Sequence, residues 1–247
     1  MTSLTGGATT FERSHILRVL DGSRAYGTNL DSSDRDEVVV YIEGPDEVLQ
    51  SSKAEFKPCI SPTDPGVDLK CWSLSQFGEM ATGGHLNALC LLFSPERNIL
   101  HSTLEGRILL GERDLFLSKA CYPKIAGFMK GHLEAAKTKC PPGRSQLVEK
   151  FGFDTKAAMH AIRAGFMGVQ LLSEGRISIP MEGPSRQFCV GVRNGIYGLD
   201  YLTLFASQLG DKLIEAYEGS SLPDEPSLDA IDLIASLHIG SWTRSRS

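Results

Sequence analysis

The sequence predicts an α+β fold, a mixed sheet flanked by helices over residues 1–110 and a mainly helical region over residues 111–247. Three observations predict it. Glu37 to Glu43 is an apolar, β-branched run closed by Gly44-Pro45, which reads as a strand. Val67, Leu69, Cys71 and Ser73 alternate with Asp68, Lys70, Trp72 and Leu74, an imperfect period of two that permits a second strand. From Asp114 the period lengthens, and Leu115, Phe116, Ala120, Ile125, Phe128, Met129 and Leu133 mark one face of an amphipathic helix interrupted near Pro123.

Taken in order, residues 1–10 read as a flexible leader without the basic-then-apolar pattern of a signal peptide. Phe11 to Leu20 predicts a short helix under a Thr10 cap, packed behind the sheet through Ile16, Leu17, Val19 and Leu20. Asp21-Gly22 breaks it and opens a loop leading to the first strand. Asp46 to Gln50 reads as a short helix or turn, and residues 51–66 as an exposed connection carrying three prolines. Leu74 to Met80 and His85 to Phe93 predict two helices with a break at Thr82 to Gly84, the second stopped by Pro95, and Ile99 to Leu110 a peripheral segment. Cys140 to Arg144 is a loop around Pro141-Pro142-Gly143, and Thr155 to Leu172 a helix capped by Asp154 or Thr155. An extended Gly175 to Pro180 leads into a loop over Met181 to Arg186. Asp200 to Tyr217 predicts a long helix, Gly219 to Pro226 a linker, Ser227 to Leu237 a last helix, and Thr243 to Ser247 a polar tail.

Chemistry concentrates between Gly22 and Ile42. Asp34 and Asp36 stand two apart where a strand opens, so a strand projects both from one face and a divalent cation can bridge them. Carboxylates are hard oxygen ligands suited to Mg²⁺, which takes its remaining ligands from water and substrate phosphates. Gly22 allows close backbone approach to a triphosphate, and the Ser23 hydroxyl, with Arg24 beside it, supplies donors to its oxygens. A two-metal site calls for a third carboxylate, and Asp68 is the candidate. A solvated turn at Ser32 to Asp36 and an edge-strand surface acid at Asp68 are the plainer alternatives. Lys156, His160 and Arg163, at i, i+4 and i+7, share one helix face. That face could hold a triphosphate or a polynucleotide phosphate, or be a surface stripe paired with Glu149 and Asp154.

Gly-Ser followed by an aspartate pair on a strand and a later strand aspartate resembles the nucleotidyltransferase superfamily of DNA polymerase β. The wording of Gly22 to Gly27 and Ser33 to Asp36 is similar to its branch that includes RNA-repair-associated and phage proteins. Phe153 to Arg163, F-D-T-K-A-A-M-H-A-I-R, resembles a second block of that branch, and Asn87 to Phe93 its helix after the third aspartate. Ala157 stands where the family pattern has a histidine, Cys90 where it tends to have a glutamate, and Arg35 where it prefers an apolar residue. The resemblance implies a nucleotidyltransferase mixed sheet and Mg²⁺-dependent, or Mn²⁺-dependent, transfer of a nucleoside monophosphate from an NTP donor. Asp34, Asp36 and Asp68 are then expected to hold metal and act in catalysis, and Gly22, Ser23, Arg24, Lys156, His160 and Arg163 to bind nucleotide. The family association favours an RNA end, such as that of tRNA, as acceptor. A protein or small-molecule acceptor, or a non-catalytic NTP sensor, would use the same donor site.

Composition narrows the partners. A net charge of −5 and a pI near 5.7 argue against a general nucleic-acid coat and leave room for a local basic cleft. The six cysteines form no C-x-x-C pair, which suggests reduced thiols and a cytoplasmic protein. No run approaches the roughly 20 apolar residues of a membrane span.

Overall fold

The computed structural model describes residues 15–31, 33–50, 66–138 and 143–244. Four strands, β1 (His15–Asp21), β2 (Arg35–Tyr41), β3 (Val67–Ser73) and β4 (Ile99–Ser102), form one mixed sheet in the order β3-β2-β1-β4. β1 is antiparallel to both neighbours, and β2 and β3 are parallel. Val38, Val39 and Val40 make β2 a strand buried on both faces. One face carries Leu17, Val19, Val38, Val40 and Trp72 into the main core. The other gathers Val39, Leu69 and Cys71 into a small cluster with Tyr41.

Glu37, 1% exposed, also lies on β2, where Arg18 and Arg35 hold its two carboxylate oxygens at 2.5 and 2.6 Å. A buried carboxylate needs such partners.

The remaining elements are helical: α1 (Gly22–Tyr26), α2 (Pro45–Gln50), α3 (Leu74–Thr82), α4 (Leu86–Leu92), α5 (Leu104–Gly111), α6 (Cys121–Thr138), α7 (Ser145–Phe151), α8 (Thr155–Glu174), α9 (Gly183–Arg193), α10 (Leu199–Glu218) and α11 (Leu228–Arg244). α8 is the axis of the helical region. The Asp154 carboxylate caps it by accepting from the Lys156 and Ala157 amides, and α6, α9 and α10 pack around it. Gly165 permits that packing, because a Cβ there would fall 2.5 Å from Leu209 Cδ2 and 2.7 Å from Met129 Cε. No helix among the described residues is long and apolar enough to cross a membrane.

Several expectations change. Residues 15–21 form a strand rather than part of a helix; a register shift between His15 and Leu17 buries the consecutive Ile16 and Leu17 in the same core, so the pattern loses the alternation that marks a half-exposed strand. Ile99 to Leu110 divides into the strand β4 and the helix α5, which Thr103 caps through its side chain. Pro123 lies in the first turn of α6, where its missing N–H breaks no intrahelical bond. Met181 to Arg186, read as a loop, runs into α9, whose Pro184 occupies the first turn. α7 was not foreseen, and α11 runs past the expected Leu237. The leader and the connection at 51–65 lie outside the described residues. Cys71, Cys90, Cys121 and Cys189 are buried; burial pushes the thiols of Cys90, Cys121 and Cys189 up to about 12.

α11 fastens to the far end of β2 through Glu43. The Glu43 carboxylate accepts from the Leu74 and Ser75 amides, the N-terminus of α3, at 3.0 and 3.1 Å. His238 Nε2 lies 3.2 Å from Glu43 Oε2, and Trp242 Nε1 donates to the Glu43 carbonyl at 2.9 Å. Burial raises the Glu43 carboxyl, but these hydrogen bonds outweigh it and hold the group at about 2. Burial lowers His238, and its contacts with Glu43 and the Ile234 carbonyl more than reverse that, leaving its pKa raised. The signs give a stability window. The Glu43 contribution is present above the ordinary glutamate pKa and is lost as pH falls toward about 2. The His238 contribution is present below the ordinary histidine pKa and is lost as pH rises through the raised value. Urea unfolding should therefore give a maximum between about pH 5 and 6.5. Glu43→Ala should cost about 3 kcal/mol and abolish the alkaline decline, because it leaves His238 buried without its acid.

Candidate active site

The register of the sheet places three aspartates in one row. Asp21 ends β1 opposite Asp36, and Asp36 lies beside Asp68 on the parallel strand β3. Residues paired across adjacent strands point to the same face at a spacing of about 5 Å, so the three side chains share the face that carries Val38 and Val40 into the core. Asp36 occupies the middle, half-buried. Burial raises its carboxyl pKa, and the charges of Asp21 and Asp68 push the same way; Lys70 and Lys156 oppose them. Lys70 Nζ lies 3.3 Å from Asp21 Oδ2. Because Lys70 is in register with Val38 of β2, its side chain crosses the middle strand to reach Asp21.

α1 lies directly against this row. A Cβ on Gly22 would fall 1.9 Å from Asp36 Oδ2, and φ there is +65°. Only glycine allows the turn to take that conformation and the carboxylate to come so close. Ser23 is carried in the same short helix. Arg24 is spent on the approach to β2: its Nη2 donates to the Ser33 carbonyl at 2.7 Å and its Nε to the Asp34 carbonyl at 3.2 Å. Asp34 itself stands one residue before β2 and is exposed. Tyr26 turns inward, and its hydroxyl donates to Asp21 Oδ1 at 3.2 Å. Burial foremost, then the neighbouring Cys90 and Asp21, raise the Tyr26 pKa well above its ordinary value, so it stays a donor.

α8 presents Lys156, His160 and Arg163 toward this region, but they differ in kind. Lys156 is close enough to lower the pKa of Asp36. Arg163 is 7% exposed, lies 3.9 Å over the Tyr26 ring, and has an Nη1 without a hydrogen-bond partner. His160 is neutral at ordinary pH: burial depresses it far below the usual histidine value, with help from the charges of Arg163, His132, Lys156 and Arg144. The structure thus places Gly22, Asp36, Asp68 and Lys156 in one site, puts Arg163 behind Tyr26, and leaves Asp34 and His160 at its margins.

Comparison with protein families agrees with this geometry. The model of the RNA repair pathway DNA polymerase beta family matches residues 5–187. The chain belongs to that family. A search of curated proteins gives no match. The match takes in every strand of the sheet, the acidic row, α8 and the first turn of α9, whereas α10 and α11 lie beyond it. Family membership supports a polymerase beta-type nucleotidyltransferase associated with RNA repair.

Sequence reasoning missed Asp21, Tyr26 and Lys70. Asp21 was read only as a helix breaker, although it directly precedes the Gly-Ser turn. Lys70 lies two residues after Asp68 and so shares its face, which the period of two already implied. Among the described residues no three His, Cys, Asp or Glu side chains are drawn together as a metal cage. The donor set is nonetheless hard oxygen, its middle carboxyl is under repulsion, and Gly22 keeps the space beside it free of side chain. Those residues fit an ion that completes its shell with water and triphosphate.

Gly22→Ala tests the close approach. It should destabilise the protein by more than about 1 kcal/mol and displace the Asp36 carboxylate; equal stability by urea unfolding, with unchanged nucleotide affinity, would contradict the geometry.

Proposed function

We propose that the protein is a divalent-metal-dependent nucleotidyltransferase that moves a nucleoside monophosphate from an NTP to an RNA end. The observation that carries this reading is the row Asp21, Asp36 and Asp68 across three adjacent strands with the Gly22-Ser23 turn packed on its centre. Asp34, Asp36 and Asp68 would hold Mg²⁺ or Mn²⁺, which neutralises triphosphate charge and makes the acceptor hydroxyl more acidic.

The protein's own groups account for the rest. The Gly22 and Ser23 backbone and the Ser23 hydroxyl bind the β- and γ-phosphates, with Lys156 supplying positive charge on the other side. Arg163, buried over the Tyr26 ring, adds positive charge behind the turn, and His160, neutral, acts as a hydrogen-bonding group rather than a cation. Arg24 positions the Ser33–Asp34 approach. The acceptor oxygen bonds to the α-phosphorus, the bond to the β-phosphate oxygen breaks, pyrophosphate leaves, and Asp68, the most exposed carboxylate of the row, takes the acceptor proton.

The test is transfer itself. Incubation with Mg²⁺ or Mn²⁺, each α-labelled NTP and cellular RNA should label RNA, and the Asp34→Ala/Asp36→Ala double variant should lose the signal by roughly a thousandfold or more while remaining folded. An active double variant would remove the assignment. Label on protein would redirect it to a protein acceptor, and NTP binding without transfer to any acceptor would make the chain a sensor.

A further inference from the structure

Outside the carboxylate site, the most distinctive surface is an aromatic stack beside α8, where Phe166 meets Phe188 and Phe205. Phe188 of α9 stacks on Tyr197 with centroids 4.5 Å apart and on Phe205 of α10 at 4.3 Å. Tyr201 continues the stack against Tyr197 at 5.5 Å, with planes inclined by 21°. Tyr201 is 49% exposed, and Ile196 and Leu204 beside it are more exposed still.

A line of cations joins this stack to the catalytic row. Lys156 lies within electrostatic reach of Asp36. One residue earlier, the Thr155 hydroxyl donates to the carbonyl of Arg193, so the C-terminus of α9 meets the N-terminus of α8. Burial depresses the Arg193 guanidinium, with the charge of Asp154 opposing and that of Arg144 adding to it, and its Nε is buried without a hydrogen-bond partner. Lys150 follows, 5.0 Å over the Phe151 ring, and that ring packs against Gly195 in the turn between Arg193 and Tyr197. The acids nearby are Asp154, Glu149 and Asp200. Asp154 and Arg144 neutralise each other at 2.9 Å, so Lys156, Arg193 and Lys150 face only Glu149 and Asp200.

We infer that this surface is the acceptor track: single-stranded RNA lies along Lys156, Arg193 and Lys150 by its phosphates and stacks bases on Tyr197 and Tyr201. Aromatic faces interleaved with cations suit unpaired nucleotides, since every base has a π-face and every linkage a charge. The net charge of −5 is no obstacle, because the cations are gathered on one flank. The inference rests on the nucleotidyltransferase reading for its direction, with the RNA end arriving at Asp36 from the α8 side.

Fluorescence anisotropy of a short labelled single-stranded RNA, without metal or NTP, tests it. Tyr201→Ala should weaken binding about tenfold and Tyr201→Phe should restore it, because the ring rather than the hydroxyl stacks. The Lys150→Gln/Arg193→Gln double variant should flatten the dependence of affinity on salt. Unchanged affinity and salt slope in all variants would overturn the track, as would RNA binding too weak to detect, or displacement of RNA from wild type by an acidic peptide but not by unlabelled RNA. The assay stands apart from catalysis. RNA binding without nucleotidyl transfer would refute the enzymatic reading alone, whereas transfer to RNA with full affinity in the variants would refute the track alone.

Discussion

Three carboxylates in register on adjacent strands repel one another, and much of the molecule is arranged around that repulsion. The row sits at the edge of the sheet's core face, where Asp68 remains in water while Asp21 and Asp36 are partly buried. Lys70 leans across the middle strand to Asp21, and Lys156 approaches from α8. Each cation comes from a different layer. The sheet therefore supplies the charge and half of its compensation, and the helical region supplies the other half.

The same helical region fixes the turn that must lie on the row. Arg186 Nε donates to the Gly27 carbonyl at 2.7 Å, and the Met181 amide donates to the Tyr26 carbonyl at 3.2 Å. Arg163 presses on the Tyr26 ring, and Tyr26 in turn holds Asp21. These contacts connect α8 and α9 to the C-terminal end of α1, and Tyr26 carries the connection on to Asp21. A short helix with few bonds of its own is held by its neighbours rather than by propensity.

The sheet and the helices were legible where composition or period was distinctive. Asp154 to Leu172 announced α8 by its cap and period, and Glu37 to Glu43 announced β2 by its β-branched run. Residues 15–21 did not announce a strand, because the register shift at Ile16 puts two buried residues in succession and interrupts the alternation that a reader counts. The candidate site was legible in its glycine, in Asp36 and Asp68, and in the α8 face. Asp21 and Lys70 depended on register, which no single strand encodes: each enters the site only because β1 and β3 flank β2 with their acidic residues level. The depressed basicity of His160 was equally hidden, since it arises from burial among Arg163, His132, Lys156 and Arg144, which come from three separate segments.

The Lys70 to Asp21 ion pair makes the row less dependent on a bound cation. An acidic site neutralised only by bound metal would lose the fold's tolerance along with the ligand, but here an internal ammonium already offsets part of the charge. Replacing Asp36 or Asp68 removes repulsion rather than support, whereas Asp21 is tied to Lys70 and Tyr26. The sheet can therefore keep its register with the site empty, and the acids that crowd it most are the ones its folding needs least.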